Sequence, residues 1–91
     1  MTLNNVRIIV SGLVQGVSFR YFTYKTAINL GITGYARNLP TGQVEIIACG
    51  DKGMIDELVE AVRIGPSYSS VSDVQLEEIP MVETYSKFDI R

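Results

Sequence analysis

The sequence contains no histidine, no tryptophan and a single cysteine, Cys49. The absence of histidine excludes a catalytic triad or a general base built on imidazole. One cysteine cannot form an internal disulfide, and without histidine beside it we expect no zinc site of the usual ligand types. Cys49 lies among apolar residues, so we interpret it as a packing residue. Any chemistry must therefore use other side chains or the backbone.

Long apolar runs are also missing. No stretch approaches the roughly 20 residues of a membrane-spanning helix, and the opening MTLNNVR lacks the basic segment of a secretory signal. We therefore predict a soluble, cytoplasmic protein without a membrane partner. With 91 residues, of which 46% are hydrophobic and 20% charged, the chain is typical of one globular domain, expected over residues 1–91.

Acidic residues are absent from the first half of the chain. Residues 1–44 hold no aspartate or glutamate, whereas the remainder carries all ten acids. The first half does carry four cations, which are Arg7, Arg20, Lys25 and Arg37. The asymmetry is explained equally well by chance with an acidic second helix, or by a first half that binds an anion. The overall charge of −2 disfavours general affinity for nucleic acid.

Hydrophobic periodicity and turn residues predict six main elements in the order β-α-β-β-α-β. They are a strand over Val6–Gly12, a helix from Phe19 that stops at Gly31, strands over Thr33–Leu39 and Gln43–Cys49 around a Pro40-Thr41-Gly42 turn, a helix capped by Asp51 that ends at Gly65-Pro66, and a strand over Val71–Ile79. Residues 87–91 are a candidate fifth strand at a sheet edge. The simplest fold for this order is an α+β, ferredoxin-like βαββαβ sandwich, an antiparallel sheet with two helices on one face.

Three periodic patterns predict the core. In the first helix we expect Phe19, Phe22, Leu30 and either Thr26 or Ala27 on the buried face. The second helix has the clearest pattern, and Asp56, Glu57 and Glu60 are expected to face outward. The other predicted core residues are Ile55, Leu58, Val59 and Val62 in that helix and Val44, Ile46 and Ala48 in the third strand, where they alternate with Glu45, Ile47 and Cys49.

Strand direction brings two sequence segments to one edge of this sheet. The end of the first strand, the start of the first helix and the end of the second strand share that edge. The loop GLVQGVSFR, residues 12–20, and Asn38 are therefore expected to lie close together. A site that spans both segments is the main functional hypothesis.

The loop has the features of an anion-binding cradle. A helix N-terminus presents N–H groups without intrahelical partners, and the helix dipole adds partial positive charge. Gly12 and Gly16 allow a nest conformation and close approach of a ligand, for which phosphate is the natural guest. Arg20 lies in the first turn of the helix, where the helix dipole disfavours a cation. Its position is explained if the planar guanidinium binds that phosphate. The alternative is that the glycines form a tight turn and Arg20 is a surface residue.

Asn38 is the second candidate, because its amide can bind a water molecule and direct it at phosphorus. The alternative is a turn asparagine before LPTG. Arg37 and Lys25 are interpreted as solvated charges, and the tyrosines Tyr21, Tyr24 and Tyr35 as core or rim aromatics. Backbone N–H groups, one arginine and one amide can support phosphoryl chemistry by positioning and charge stabilisation. With no obvious general acid, the phosphate needs a good leaving group, which mixed carboxylic–phosphoric anhydrides provide.

The two segments GLVQGVSFR and GYARNLPTGQVEIIACG, at their spacing, resemble the acylphosphatase family from about Val6 to Ile90. The resemblance implies a ferredoxin-like fold and hydrolysis of acyl phosphates to a carboxylate and inorganic phosphate, without metal or cofactor. It also implies that Arg20 binds the phosphate, that Asn38 orients the attacking water, and that the loop backbone forms the phosphate seat. The loop residues are Gln15, Gly16, Val17, Ser18, Phe19 and Arg20.

Two other functions remain as alternatives. Similar domains occur inside larger carbamoyl-transfer enzymes of hydrogenase maturation, so a non-catalytic phosphate-handling module is the second hypothesis. The RNA-recognition fold shares this topology, but VRIIVSG and QVEIIAC lack the aromatic residues that such modules use. We predict a monomer that binds a small acyl phosphate and no nucleic acid. The sequence does not identify the physiological acyl phosphate or any obvious pocket for its acyl group.

Overall fold

A computed structural model describes residues 3–80 and 84–91 of the chain. Residues 1, 2 and 81–83, which the predicted 1–91 domain includes, lie outside the described residues. Seven elements follow one another along the chain. They are β1 (Leu3–Leu13), α1 (Phe19–Asn29), β2 (Thr33–Asn38), β3 (Val44–Asp51), α2 (Lys52–Ile64), β4 (Ser70–Glu78) and β5 (Phe88–Ile90).

The strands form one five-stranded sheet in the order β4-β1-β3-β2-β5. β1 pairs antiparallel with β3 and β4, and β2 pairs antiparallel with β3. The short β5 pairs parallel with β2, so the antiparallel prediction does not extend to this edge. The reason is directional: the chain leaves β4 and enters β5 at the same end of the sheet, so β5 must run opposite to β4 and alongside β2.

Both helices pack on the sheet and contact each other. α1 lies against β2 and β5, whereas α2 lies against β1, β3 and β4. The core between them contains the predicted strand and helix positions. Its members include Val6, Ile8, Val10, Phe19, Ala27, Ala36, Val44, Ile46, Ala48, Ile55, Leu58, Val59, Val62 and Phe88. One hydrophobic core therefore supports both segments of the candidate site.

The buried face of α1 matches the prediction at Phe19 and Ala27 but not at Phe22. Phe19, Thr23 and Ala27 are buried at intervals of four residues, whereas Phe22 is only half-buried. Thr23 can be buried because its hydroxyl donates to the Phe19 carbonyl at 3.0 Å and so leaves no polar group unpaired. α2 follows its prediction, since the Asp51 carboxylate accepts the Gly53 N–H at 2.9 Å and Gly65 caps the other end.

The helix-free face of the sheet holds a buried carboxylate that the alternation pattern placed outside. Glu45 is 3% exposed, and it accepts hydrogen bonds from Arg7 at 2.6 Å and Arg37 at 2.5 Å. The Tyr35 hydroxyl donates to the same carboxylate at 3.2 Å. Arg37 is exposed, as predicted for a solvated charge, and it is also an ion-pair partner, which was not predicted.

The electrostatics of this cluster follow from its geometry. Burial alone would raise the pKa of Glu45, but the hydrogen bonds and charges of Arg7 and Arg37 outweigh it and hold this pKa below its ordinary value. Burial, followed by the negative charge of Glu45, raises the pKa of Tyr35. Two of the four cations in the first half of the chain are thus paired with one carboxylate away from the loop, and Arg20 and Lys25 are the other two.

Two findings concern possible partners of the chain. None of the helices that the structure describes is long and apolar enough to cross a membrane. Within residues 3–80 and 84–91, no group of three or more His, Cys, Asp or Glu side chains is placed to hold a metal ion.

Candidate active site

A cavity of about 330 Å³ opens at the edge of the sheet where β1 and β2 end and α1 begins. Arg20 and Asn38 both line it, so the topology brings the two proposed catalytic side chains to one place. Among the residues that the structure describes, the lining consists of Val14, Gly16, Ser18, Phe19, Arg20, Tyr21, Asn38 and Ile90. None of these residues is acidic, so no neighbouring carboxylate in the lining competes with an anionic ligand.

The loop between β1 and α1 leaves a run of backbone donors unpaired. The first N–H of the helix to find a backbone carbonyl is that of Phe22, which donates to Ser18 at 3.0 Å. Among the described residues, the N–H groups of residues 15–20 have no backbone or side-chain acceptor. α1 also has no acidic residue in its first turn. The helix dipole and these donors are therefore available to an anion.

The two glycines of the loop have different roles. Gly16 has φ +75°, lines the cavity, and has nothing within 4 Å of the position where a Cβ would lie. Gly12, with φ +121°, instead lies at the bulge between β1 and β4, where a Cβ would come within 2.1 Å of the Ser70 carbonyl oxygen. The expectation that Gly12 opens the cradle to a ligand is therefore wrong, because this glycine permits close approach of a strand.

Gln15 connects the loop to the hairpin that carries Asn38. Its amide nitrogen donates to the carbonyls of Leu39 and Gln43, each at 2.8 Å. Gln43 in turn donates to the Ser11 hydroxyl at 2.9 Å, which ties the hairpin back to β1. The Gln15 side chain thus points into the hairpin and is not among those that line the cavity.

Val17 is also absent from the lining and packs against the core instead. Ser18 takes the left-handed conformation, with φ 62° and ψ 25°, and its hydroxyl makes no capping hydrogen bond. Phe19 is 1% exposed and anchors the first turn of α1 in the core. The side chains of Val17 and Phe19 thus anchor the loop within the run of unpaired donors.

Arg20 is held by a residue far away in the sequence. Its terminal nitrogen donates to the backbone oxygen of Arg91 at 2.7 Å. Arg91 is itself fixed, because its N–H donates to Ala36 at 2.8 Å and its guanidinium lies 4.1 Å from the centroid of the Tyr35 ring. One of the five donors of Arg20 is used in this way, which leaves the rest of the fork for an anion.

Asn38 is the last residue of β2 and lies opposite Val44 of β3. It is exposed, and its amide has no hydrogen-bond partner in the described part of the chain. The hairpin closes directly after it, since the Leu39 N–H donates to Gln43 at 2.8 Å. The sheet therefore fixes the backbone of Asn38 and leaves its carboxamide available to water or a ligand.

Comparison with known proteins decides the family. A family model described as Acylphosphatase matches residues 6–90. The chain belongs to the acylphosphatase family. An acylphosphatase of Chlorobaculum tepidum is 49% identical over 90 residues, which are 99% of this chain and 98% of that protein. Membership makes the chain an enzyme of the acylphosphatase type.

Solved structures agree with the acylphosphatase fold. The crystal structure of an acylphosphatase from Bacillus subtilis has a TM-score of 0.93 at 39% identity and covers 99% of both chains. The crystal structure of full-length HypF in the phosphate- and nucleotide-bound form has a TM-score of 0.91 at 27% identity. It matches 99% of this chain but only 12% of the HypF chain.

Sequence reasoning missed three residues around this acylphosphatase cavity. Arg91 holds Arg20 across 71 positions, and no local pattern signals such a contact. Tyr21 was interpreted only as a core or rim aromatic, and Ile90 only as part of a short strand, yet both line the cavity. The sequence predicted an edge strand over residues 87–91 but not which edge it occupies, and the structure places it beside β2, near α1.

Proposed function

We propose that the chain hydrolyses the carboxyl–phosphate anhydride of small acyl phosphates to a carboxylate and inorganic phosphate. One observation carries this proposal within the acylphosphatase family: Arg20, Asn38 and the loop with unpaired N–H groups meet at one cavity. The arrangement supplies an anion seat and a water-binding amide, which are the two elements that direct attack by water requires.

The phosphate is bound by the backbone of residues 15–20 and by Arg20. Donors aimed at phosphoryl oxygens stabilise the charge that spreads over them in a loose transition state. The N-terminal end of the α1 dipole acts in the same direction. Arg20 adds a planar, permanently charged fork that can contact two oxygens together. The hydrogen bond from Arg20 to Arg91 limits the orientations of that fork and so lowers the entropic cost of binding.

Asn38 binds the attacking water and directs it at phosphorus, opposite the acyl oxygen. The water oxygen forms a new bond to phosphorus as the bond from phosphorus to the acyl oxygen breaks. The electron pair of that bond leaves with the carboxylate, and the water proton passes to a phosphate oxygen. No general acid is needed because a carboxylate is a good leaving group.

The remaining parts of the proposal follow from the sequence. We assign residues 1–91 to one domain, and the order of its first six elements supports a ferredoxin-like βαββαβ description of the fold. The proposed mechanism assigns no step to a metal or cofactor. We further propose a cytoplasmic monomer with an acyl phosphate as its ligand and no nucleic-acid partner.

The test is a turnover assay on a panel of acyl phosphates, with a phosphate monoester as the control substrate. We expect the wild-type protein to hydrolyse the acyl phosphates and not the monoester. Arg20→Ala should lower kcat/KM at least about 100-fold, the scale for removal of one transition-state donor. Arg63→Ala, which removes an exposed cation from α2 away from the cavity, is the matched control and should change kcat/KM less than about threefold. Wild-type-like turnover by Arg20→Ala would contradict the mechanism.

A phosphate-handling module without turnover is the second candidate, favoured by the likeness to part of HypF. The two candidates differ in one result of the same assay. Inorganic phosphate binding that depends on Arg20, together with no hydrolysis of any acyl phosphate by the wild-type protein, would support the module and end the hydrolase proposal.

A further inference from the structure

The cavity carries an apolar rim that the phosphate chemistry does not use. Tyr21 is 54% exposed and Ile90 is 43% exposed, and both line the cavity beside Arg20 and Asn38. We infer that Tyr21 and Ile90 form the contact surface for the acyl group and favour acyl phosphates with a flat or branched apolar acyl chain over acetyl phosphate. The inference deepens the proposed function, because it rests on the same site.

Both side chains flank Arg20 for structural reasons. Tyr21 follows Arg20 in the first turn of α1, and helical side chains tilt toward the N-terminus, so Tyr21 covers the turn that faces the loop. Ile90 pairs with Ala36 and shares the helix-covered side of the sheet with it. The residue after Ile90 accepts the hydrogen bond from Arg20. Arg20, Tyr21 and Ile90 therefore all line the same cavity.

The Tyr21 ring is restrained by two neighbours along α1. The Tyr21 ring stacks on Tyr24 with a centroid distance of 6.1 Å and an interplanar angle of 26°. Lys25 lies over the same ring, with its ammonium nitrogen 6.0 Å from the centroid. A ring held in this way loses little entropy when a ligand stacks on it, which favours a flat apolar group.

The cavity has a polar part that fits the phosphate of an acyl phosphate and an apolar part that fits its acyl group. Loop N–H groups, Arg20 and Asn38 provide the donors, which fit the phosphate half. Tyr21 and Ile90 provide apolar surface, which gains free energy only when an apolar group covers it. Arg20 is the only cation among the described residues that line the cavity, so a second anionic group on the acyl chain finds no further cationic partner among them.

The experiment compares benzoyl phosphate with acetyl phosphate on four variants, which are Tyr21→Ala, Tyr21→Phe, Ile90→Ala and Tyr68→Ala. The last is the matched control, because Tyr68 is 83% exposed and does not line the cavity. A methylene in a closed apolar pocket changes kcat/KM by roughly 10-fold or more, and a half-open rim gives less. We therefore expect Tyr21→Ala and Ile90→Ala to lower the benzoyl-to-acetyl ratio of kcat/KM by about fivefold. Tyr21→Phe and Tyr68→Ala should keep the wild-type ratio.

Binding of phenylphosphonate and methylphosphonate, measured by calorimetry, separates this inference from the proposed function. Suppose that the wild-type protein hydrolyses no acyl phosphate, binds phenylphosphonate more tightly than methylphosphonate, and loses this preference in Tyr21→Ala. The inferred acyl contact surface is then supported, and the hydrolase proposal fails. The inference is overturned if the two kcat/KM values fall equally in Tyr21→Ala and Ile90→Ala. It is also overturned if neither variant changes the ratio, or if the wild-type protein binds both phosphonates equally.

Discussion

Ser18 combines a side chain with a backbone conformation that glycine adopts at lower cost. Its φ of 62° lies in the left-handed region, and its hydroxyl makes no capping hydrogen bond that would offset the strain. Among residues 3–80 and 84–91, every other residue with positive φ is glycine. Because Ser18 directly precedes α1 and lines the cavity, the strain is located at the candidate active site.

Replacement of Ser18 by glycine should stabilise the protein. The left-handed conformation costs a non-glycine residue about 1–2 kcal/mol, whereas the added freedom of glycine in the unfolded chain costs about 0.5–1 kcal/mol. We expect Ser18→Gly to raise the free energy of unfolding by up to about 1 kcal/mol in urea titrations. Ser67→Gly, at an exposed position with ordinary φ, is the control and should lower it. A destabilised Ser18→Gly protein would mean that the serine side chain makes a compensating contact.

Asn38 affects turnover rather than phosphate binding in the proposed mechanism. Its carboxamide has no partner among the described residues, so Asn38→Ala should leave the hairpin intact. We expect kcat for an acyl phosphate to fall about 100-fold, while the inhibition constant of inorganic phosphate changes by less than about twofold. Asn29→Ala, at the far end of α1, should change neither. A large loss of phosphate affinity in Asn38→Ala would place the amide on the phosphate instead of the water.

The contact between the loop and the β2–β3 hairpin depends on one side chain. Gln15 donates to two hairpin carbonyls, and a leucine of similar size would donate to neither. We expect Gln15→Leu to lower the free energy of unfolding by about 1–2 kcal/mol, since two acceptors lose a partner. kcat should fall too, because the loop and Asn38 lose their common anchor.

A second substitution and a control make the Gln15 prediction specific. Gln15→Glu should be more damaging than Gln15→Leu at neutral pH, because a carboxylate faces the same carbonyls and cannot donate to them. Gln75→Leu, on the exposed edge strand β4, should change neither stability nor kcat appreciably. Equal effects of the leucine and glutamate variants would show that volume, not hydrogen bonding, matters at Gln15.

Elements with strong local signals were predicted closely. The Asp51 cap, the four apolar positions of α2 and the stop at Gly65 depend on contacts within a few residues. α1 was harder, because aromatic residues stand at four of its first six positions and several faces look apolar. In the folded protein, packing against the sheet buries Thr23 and leaves Phe22 half-buried. β1 begins at Leu3 rather than Val6, because pairing with Asp51 extends it beyond its apolar run.

In the candidate site, too, local features were predicted and long-range contacts were not. Local motifs and strand direction predicted that Arg20, Asn38 and Gly16 lie close together, and all three line one cavity. Gly12 was assigned the wrong role, because the β4 backbone that approaches it is more than 50 residues away in sequence. The hydrogen bond from Arg20 to Arg91 and the pairing of Arg7 with Glu45 join residues 71 and 38 positions apart. Such contacts follow from the assembled sheet and have no local signature.

At the scale of the whole molecule, charge is divided between the two faces of the sheet. Arg7 and Arg37 neutralise the buried Glu45 on the helix-free face, whereas Arg20 lies at the start of α1 beside the cavity. The first 44 residues are therefore not a uniform cationic surface. One part of their charge stabilises the fold, and the other part is available for an anion.

The Glu45 cluster makes stability depend on pH. Because the pKa of Glu45 is lowered in the folded protein, its contribution is present above the unfolded pKa of about 4.3 and is lost as pH falls through the folded pKa. We expect Glu45→Gln to cost roughly 2 kcal/mol at pH 7, since both arginines stay partly solvated. The difference from wild type should shrink below about pH 4 in urea titrations.

The matched control for this prediction is Glu57→Gln, which removes an exposed carboxylate from α2 and should change stability at pH 7 by less than about 0.5 kcal/mol. If the stability of Glu45→Gln stays below that of wild type by a constant amount from pH 7 to pH 3, the ionised carboxylate is not the source of the effect.

The central claim is that the backbone of residues 15–20, together with Arg20, is the seat of the phosphate. A titration of the ¹⁵N-labelled protein with inorganic phosphate, followed by the shifts of its amide signals, tests it most directly. The largest shifts are expected in residues 15–20, with smaller ones at Asn38, and they should disappear in Arg20→Ala. Shifts centred on the N-terminus of α2, around Lys52 and Gly53, with residues 15–20 unchanged, would contradict the claim.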